Sequence, residues 1–318
     1  MSKSRLFILI FFLALVVFAL VKGDFLSGLS KKLEFISYNK NEEVHTSTDG
    51  SLDEENMSQS NEGDLSCEDA RYLTLPIENH VRDKDTYYDY SNAKLAWWIK
   101  RDENHQGSGC DDTIDIQQYG AYYLDKDTEE KVIYLTFDCG YENGYTNQIL
   151  DVLKQEEVPA CFFVTKTYIR DNPDLTKRMK EEGHQVGNHT ITHPSMPEKS
   201  YEEIIGEVNG CAEYMKEVTG YQMDPYLRPP MGEYSERTLA ITNDLGFKTI
   251  FWSMAYMDFD VNNQPGADYV INHFEKYHHR GAIILMHNVS SSNAEALETV
   301  IVNLKANGYR FASLNELQ

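Results

Sequence analysis

The sequence predicts an α/β fold, an irregular (β/α) barrel of about seven strands, in its C-terminal part. Two observations carry this expectation. From Lys131 onward, short runs rich in β-branched and aromatic residues alternate with stretches of helical apolar period. The runs themselves are almost continuously apolar, as strands buried on both faces of a parallel sheet are. Upstream of residue 131 neither feature is sustained.

At the start, Met1-Ser-Lys-Ser-Arg5 precedes an unbroken apolar run from Leu6 to Val21, followed by Lys22. A positive segment ahead of an apolar core marks export. The run is 16 residues, slightly under the roughly 20 that span a bilayer comfortably. No Ala-x-Ala cleavage site comes after it. Residues 1–22 are expected to be an uncleaved signal anchor, with a cleaved signal peptide as the alternative. Both place the rest of the chain outside the cytoplasm, membrane-anchored by a single pass or secreted to the wall.

Residues 23–69 read as an acidic, disordered linker. From Glu42 to Asp69 there are ten acidic residues and no Lys or Arg. Such a stretch cannot bury enough apolar surface to offset its ordering entropy. Residues 70–130 bring aromatics (Tyr72, Tyr87, Tyr88, Tyr90, Trp97, Trp98) and are expected to form an accessory segment packed on the C-terminal domain. A short helix around Asn92–Ile99 is expected within it, and a separate glycan-binding module is the other reading. The formal net charge of -22 excludes nucleic acid as a partner class, because phosphate binding needs a basic footprint. Five cysteines show no CxxC pairing. Cys161 and Cys211 read as core residues, and a Cys67–Cys110 pair stays open.

Within residues 131–318 the expected strands are 132–137, 160–164, 185–188, 226–228, 249–252, 282–286 and 310–312. Helices are expected near 147–157, 174–182, 200–219, 236–245, 267–277 and 293–307. The helix after Ser200 is the clearest: Ser200 and Glu203 make a capping box, and Tyr201, Ile204, Ile205, Val208, Cys211, Met215 and Val218 trace one stripe. In barrels of this type chemistry gathers at the C-terminal strand ends, so each candidate residue is judged by whether it falls there.

Asp138 ends the first strand in Thr-Phe-Asp-Cys-Gly; alone, an Asp there serves a turn as readily as catalysis. His189 and His193 come after the third strand at i and i+4, a spacing that lets two imidazoles share one helical face or converge from a tight loop. Neutral imidazoles so placed suit a zinc-class metal. Arg-Pro-Pro-Met-Gly, 228–232, is a rigid loop presenting Arg228 and a backbone N–H in fixed directions. Asp258 stands amid apolar neighbours, where it caps an element or orients a histidine. His287 ends the apolar run 282–286. Each has a structural reading by itself. Together they bring a metal and an acid/base pair to one rim, the equipment of a hydrolase.

These motifs, over 131–318, resemble carbohydrate esterase family four, the polysaccharide deacetylases with a NodB-homology domain. Within it, Asp-Cys-Gly-Tyr-Glu-Asn-Gly-Tyr-Thr (138–146) and Ser-Asn-Ala-Glu-Ala-Leu (292–297) resemble the delta-lactam-biosynthetic de-N-acetylases. The resemblance implies metal-dependent removal of acetyl from N-acetylmuramic acid in spore-cortex peptidoglycan, giving acetate and an amine that can form muramic delta-lactam. It implies stem-peptide-free glycan strands as partner and a divalent metal, zinc by preference. Asp138 is then the general base and Arg228 its charge partner. His287 is the general acid supported by Asp258, the Met231 N–H is the oxyanion donor, and His189 and His193 are metal ligands. Most of the family carries a second Asp after the base as third ligand. Here that position is Cys139, expected either to ligate as a thiolate or to stand aside. Two rival readings are a peptidoglycan N-acetylglucosamine or other glycan deacetylase, and, from a different class, a non-catalytic wall-binding protein. The acid/base pair argues against the latter, since a binder has no use for one.

Overall fold

The strand that organises the molecule, Val132–Cys139 (β5), is buried along its whole length. In the computed structural model, which describes residues 74–317, it pairs in parallel with Ala160–Val164 (β6) and Ala282–His287 (β11). From β6 the sheet continues in parallel through Gln185–Asn188 (β7), Tyr226–Leu227 (β8) and Lys248–Ile250 (β10). Arg310–Phe311 (β12) pairs with the start of β5. The expected strands are therefore all present, trimmed or extended by a residue or two. The export segment 1–22, the linker 23–69 and Cys67 lie outside the described residues. Among the described residues no helix is long and apolar enough to cross a membrane.

The sheet has an eighth strand that the sequence did not advertise. Ala121–Tyr122 (β4) adds in parallel to the edge of β10. Just beyond, single bridges join Leu124 to Ala282 and Met254 to Ile284, so the two ends of the curled sheet meet without a continuous ladder. Strand alternation sorts the side chains. Val132, Tyr134, Cys161, Phe163, Tyr226, Ile250 and Ile283 fill the inside of the curl. Ile133, Leu135, Phe137 and Cys139 face outward, under the helices.

Among the described residues seven α-helices cover that outer face: Thr146–Gln155 (α1), Lys166–Asp171 (α2), Pro173–Glu181 (α3), Tyr201–Thr219 (α4), Glu236–Asp244 (α5), Ala267–Tyr277 (α6) and Ser291–Ala306 (α7). Helix α4 starts at the expected capping box, Ser200 with Glu203, and buries Ile204, Val208, Cys211 and Met215. The two-turn α2 went unread because six residues are too few to display a helical period.

No helix forms around Asn92–Ile99. That stretch instead holds two short strands, Leu95–Ala96 (β1), antiparallel to Glu233–Tyr234 (β9), and Ile99–Lys100 (β2), antiparallel to Gly109–Cys110 (β3). The physical reason is tertiary. Trp97 between them is 6 % exposed, stacks on Phe251 at 4.4 Å and donates its indole N–H to the Trp252 carbonyl at 2.9 Å. Burying so large a ring outweighs any local preference for a helix. Tyr87, Tyr119 and Tyr123 are buried against the barrel as well.

Candidate active site

Parallel strands send their C-terminal ends to one rim, and the candidate residues arrive there together. Asp138 shares the inward parity of Val132 and Tyr134 and emerges at the mouth of the curl. Arg228, at the end of β8, is fully buried beneath it. A buried guanidinium must satisfy its donors, and this one does so in full view of the carboxylate. Nη1 donates to Asp138 Oδ1 at 2.9 Å, Nε to the Ile250 carbonyl at 3.0 Å and Nη2 to the Phe251 carbonyl at 3.2 Å. The guanidinium also lies 4.3 Å from the centre of the Phe163 ring. Burial pushes the Asp138 carboxyl up, but Arg228, His189 and His287 together hold it below the usual carboxylate range.

His189 and His193 converge from a tight loop and not from one face of a helix. Thr190 and His193 take left-handed backbone, φ 68° and 56°, an uncommon conformation outside glycine. Local hydrogen bonds hold it. Asn188 Oδ1 accepts from Thr190 N–H at 2.9 Å, and Thr190 Oγ1 accepts from His193 N–H at 3.1 Å. Glu207, on α4, accepts from the N–H groups of Ile191 and Thr192 and from the Thr192 hydroxyl, at 2.6–2.9 Å. His189 Nδ1 lies 2.8 Å from the Arg228 carbonyl, which fixes its proton there and turns Nε2 toward Asp138, 3.6 Å from Oδ2. The two rings stand 4.7 Å apart between centroids. Burial pushes His189 down to about 4 and also lowers His193, so both imidazoles are neutral at physiological pH.

The loop after β8 holds Met231 at φ 59° between Pro230 and Gly232. Gly232, at φ 67°, is obligatory on two counts. A Cβ there would meet Trp252 Cη2 at 2.8 Å and Trp97 Cβ at 3.3 Å.

Across the mouth, His287 Nδ1 lies 2.7 Å from Asp258 Oδ1, and Asp258 Oδ2 accepts the His287 backbone N–H at 2.8 Å. Burial pulls the His287 pKa down, but the Asp258 charge and hydrogen bond outweigh it, and the net shift is upward. Two partners here are not evident from sequence. Asn293 donates from Nδ2 to Asp258 Oδ2 at 2.6 Å and to the His287 carbonyl at 3.1 Å, while its Oδ1 accepts from the Tyr256 hydroxyl at 2.8 Å. An Asn standing in line with the apolar stripe of α7 was the available signal, and the structure shows it fully buried. Glu207 gave none, because on α4 it reads as one more solvated acid.

Cys139 is the residue that does not join. One position beyond Asp138 on an extended strand, it points to the opposite face of the sheet. It is completely buried among the outward-facing apolar side chains, with Sγ 3.8 Å from the Phe137 carbonyl. Burial raises its thiol pKa well above the ordinary value, the reverse of what a thiolate ligand needs. The expectation of Cys139 as a metal ligand is therefore corrected. Among the described residues no three His, Cys, Asp or Glu side chains gather as a metal-holding group.

Asp138, His193, Met231 and His287 line a single cleft of about 640 Å³. Its outer walls are apolar, with Trp252, Met257 and Phe259 after β10 and Trp98 from the N-terminal segment; Arg101 stands beside Trp98.

Residues 125–250 match the family model for polysaccharide deacetylase. The peptidoglycan-N-acetylmuramic acid deacetylase PdaA of Bacillus subtilis is 46 % identical over 228 residues, which is 71 % of this chain and 86 % of PdaA. Its solved structure, described as a family 4 carbohydrate esterase, superposes with a TM-score of 0.69 over 71 % of this chain and 97 % of that one. A peptidoglycan-N-acetylglucosamine deacetylase of Bacillus cereus is 31 % identical, covering 64 % of this chain and 95 % of that protein. A family 4 pseudoenzyme from Bacillus anthracis is also similar, with 30 % identity and a TM-score of 0.58 over 62 % of this chain and 68 % of that one. With these motifs on these strand ends, the chain belongs to the polysaccharide deacetylases, carbohydrate esterase family four.

Proposed function

We propose that this protein hydrolyses the N-acetyl group of N-acetylmuramic acid in peptidoglycan, releasing acetate and a free sugar amine. The observation that carries the reading is a carboxylate and a carboxylate-backed imidazole, Asp138 and His287, facing one cleft that His193 also lines, with the buried His189 ring against Asp138. The substrate is inferred from the relative that is 46 % identical over most of its own length. The product amine sits beside the lactyl group on the neighbouring ring carbon, the arrangement from which a muramic delta-lactam closes in spore cortex. Export by the apolar segment 1–22, as an anchor or a cleaved signal, would bring the enzyme to that substrate.

An unactivated amide yields only if water is made nucleophilic, the carbonyl oxygen is stabilised as it gains charge, and the departing nitrogen is protonated. Asp138, kept ionised and aimed by Arg228, takes the proton of the attacking water. The Met231 N–H, held by its left-handed loop, donates to the carbonyl oxygen as negative charge develops there. His287 carries the proton for the nitrogen. Asp258 holds its Nδ1–H, which leaves the other ring nitrogen for the cleft, and stabilises the charged form. Oxygen from water joins the acyl carbon, the C–N bond breaks, and the amine leaves with the proton from His287.

His189 and His193 fit a divalent cation of the zinc class: both are neutral, and the Arg228 carbonyl orients the His189 ring as an outer-shell partner should. Bound there, such an ion supplies a Lewis acid that polarises the acetyl carbonyl and acidifies water. With Cys139 facing away, His189 and His193 are the side chains that would hold such an ion.

Purified full-length protein supplied with zinc is expected to release acetate from muramic acid strands lacking stem peptide, seen as deacetylated fragments by mass spectrometry. Deacetylation confined to N-acetylglucosamine would replace the substrate. No deacetylation of either sugar would favour a non-catalytic, wall-binding role instead.

A further inference from the structure

We infer that Arg101 receives the lactyl carboxylate of the muramic acid whose acetamide occupies the cleft, and so selects sugars from which the stem peptide has been removed. The inference rests on the function proposed above and deepens it.

The first support is substrate geometry. In N-acetylmuramic acid the acetamide and the lactyl ether stand on adjacent ring carbons. A cleft that brings the acetyl carbonyl between Asp138 and His287 therefore has the lactyl carboxylate close by. The second is charge. Of the charged side chains lining the cleft, Asp138 is paired with Arg228 at 2.9 Å and His287 with Asp258 at 2.7 Å. Arg101 is different: it is exposed and makes no ion pair among the described residues, in a chain whose formal net charge is -22. It is the permanent cation of the cleft wall.

The third is preorganisation. Nη2 donates to the Ala255 carbonyl at 3.0 Å, and the guanidinium lies 5.7 Å from the centre of the Tyr277 ring. Its backbone comes directly after β2, which is pinned to β3 on one side and anchored through Trp97 on the other. The guanidinium fork thus keeps most of its five donors for a carboxylate, the partner it matches bidentately. Trp98, 52 % exposed on the same wall, offers a flat apolar face for the sugar ring. A stem peptide converts the lactyl carboxylate to a neutral amide and adds bulk, so it removes the charge this fork would bind.

The test uses full-length zinc-supplied protein and muramic acid strands stripped of peptide, with the lactyl carboxylate either free or converted to a carboxamide. KM and kcat are measured for wild type, R101A and R101K. For wild type, amidation is expected to raise KM roughly tenfold or more, the value of a hydrogen bond to a charged group. R101A should raise KM on the free acid by a similar factor and lose far less on the carboxamide, while R101K falls between. A merely structural Arg101, bracing the Ala255 loop, would make R101A lose equally on both strands, and that outcome overturns the inference. So does wild-type enzyme that deacetylates acid and amide equally well, which leaves the proposed function standing. Wild-type activity on neither muramic strand sinks both together.

Discussion

Arg228 donates to Asp138 across 2.9 Å with its guanidinium wholly removed from solvent. Neither charge is tolerable there alone, so one contact serves the fold and the chemistry at once. Arg228→Met should therefore lower unfolding free energy by about 3–5 kcal/mol, the usual cost of orphaning one member of a buried pair. Urea unfolding monitored by fluorescence measures it. In whatever fraction folds, the Asp138 carboxyl titrates higher, and the acid limb of kcat/KM moves to higher pH. A variant as stable as wild type would show that the pair contributes little.

Asp258 keeps His287 protonated to higher pH than a free imidazole. The folded pKa lies above the ordinary imidazole value of 6.5. The acid form, and the stability its ion pair contributes, is therefore fully present below that value and is lost as pH rises through the folded pKa. Activity limited by His287 should fall over the same upper window. Asp258→Asn removes the partner charge and should slide that limb to lower pH, besides lowering kcat by about 10²-fold or more. An unmoved limb in the kcat profile would assign it to another group.

Asn293 holds Asp258 from behind through a 2.6 Å hydrogen bond. Replacing it with Ala frees the carboxylate to turn and leaves the Tyr256 hydroxyl without its acceptor. The expected result is a destabilisation of about 1–3 kcal/mol and a fall in kcat with KM nearly unchanged. Steady-state kinetics beside thermal melting separates the two effects.

Cys139 lies on the far side of its strand from both imidazoles. Cys139→Ser should leave zinc affinity within about twofold of wild type. His193→Ala should weaken it beyond the roughly 10–100-fold seen for outer-shell partners. Competition with a zinc-binding dye reads both. Equal losses in the two variants would return Cys139 to the ligand set.

The strands and long helices were legible because each carries its own period or its own unbroken apolar run, and Asp138, His189, Arg228 and His287 were legible because they interrupt those runs at the ends. Cys139 misled because adjacency in sequence to Asp138 is not adjacency in space on an extended chain. The helical spacing of His189 and His193 also suggested more than it could decide: a positive-φ loop clasped by Glu207 reaches the same convergence. Residues 95–122 were least readable. Their strands are two residues long, too short for any pattern, and each exists only because a distant partner pairs with it.

That dependence reaches the outermost strand of the sheet. Residues 121–122 occupy the edge of β10, and Trp97 roofs Phe251 beside it. A recombinant fragment beginning at residue 131, where the strand–helix alternation sets in, would strip both away. It would bare a row of unpaired amides next to an uncovered aromatic ring, the combination that invites neighbouring molecules to stack edge to edge. Such a fragment is expected to come out of cells as aggregate, and one reaching back past residue 80 as soluble protein.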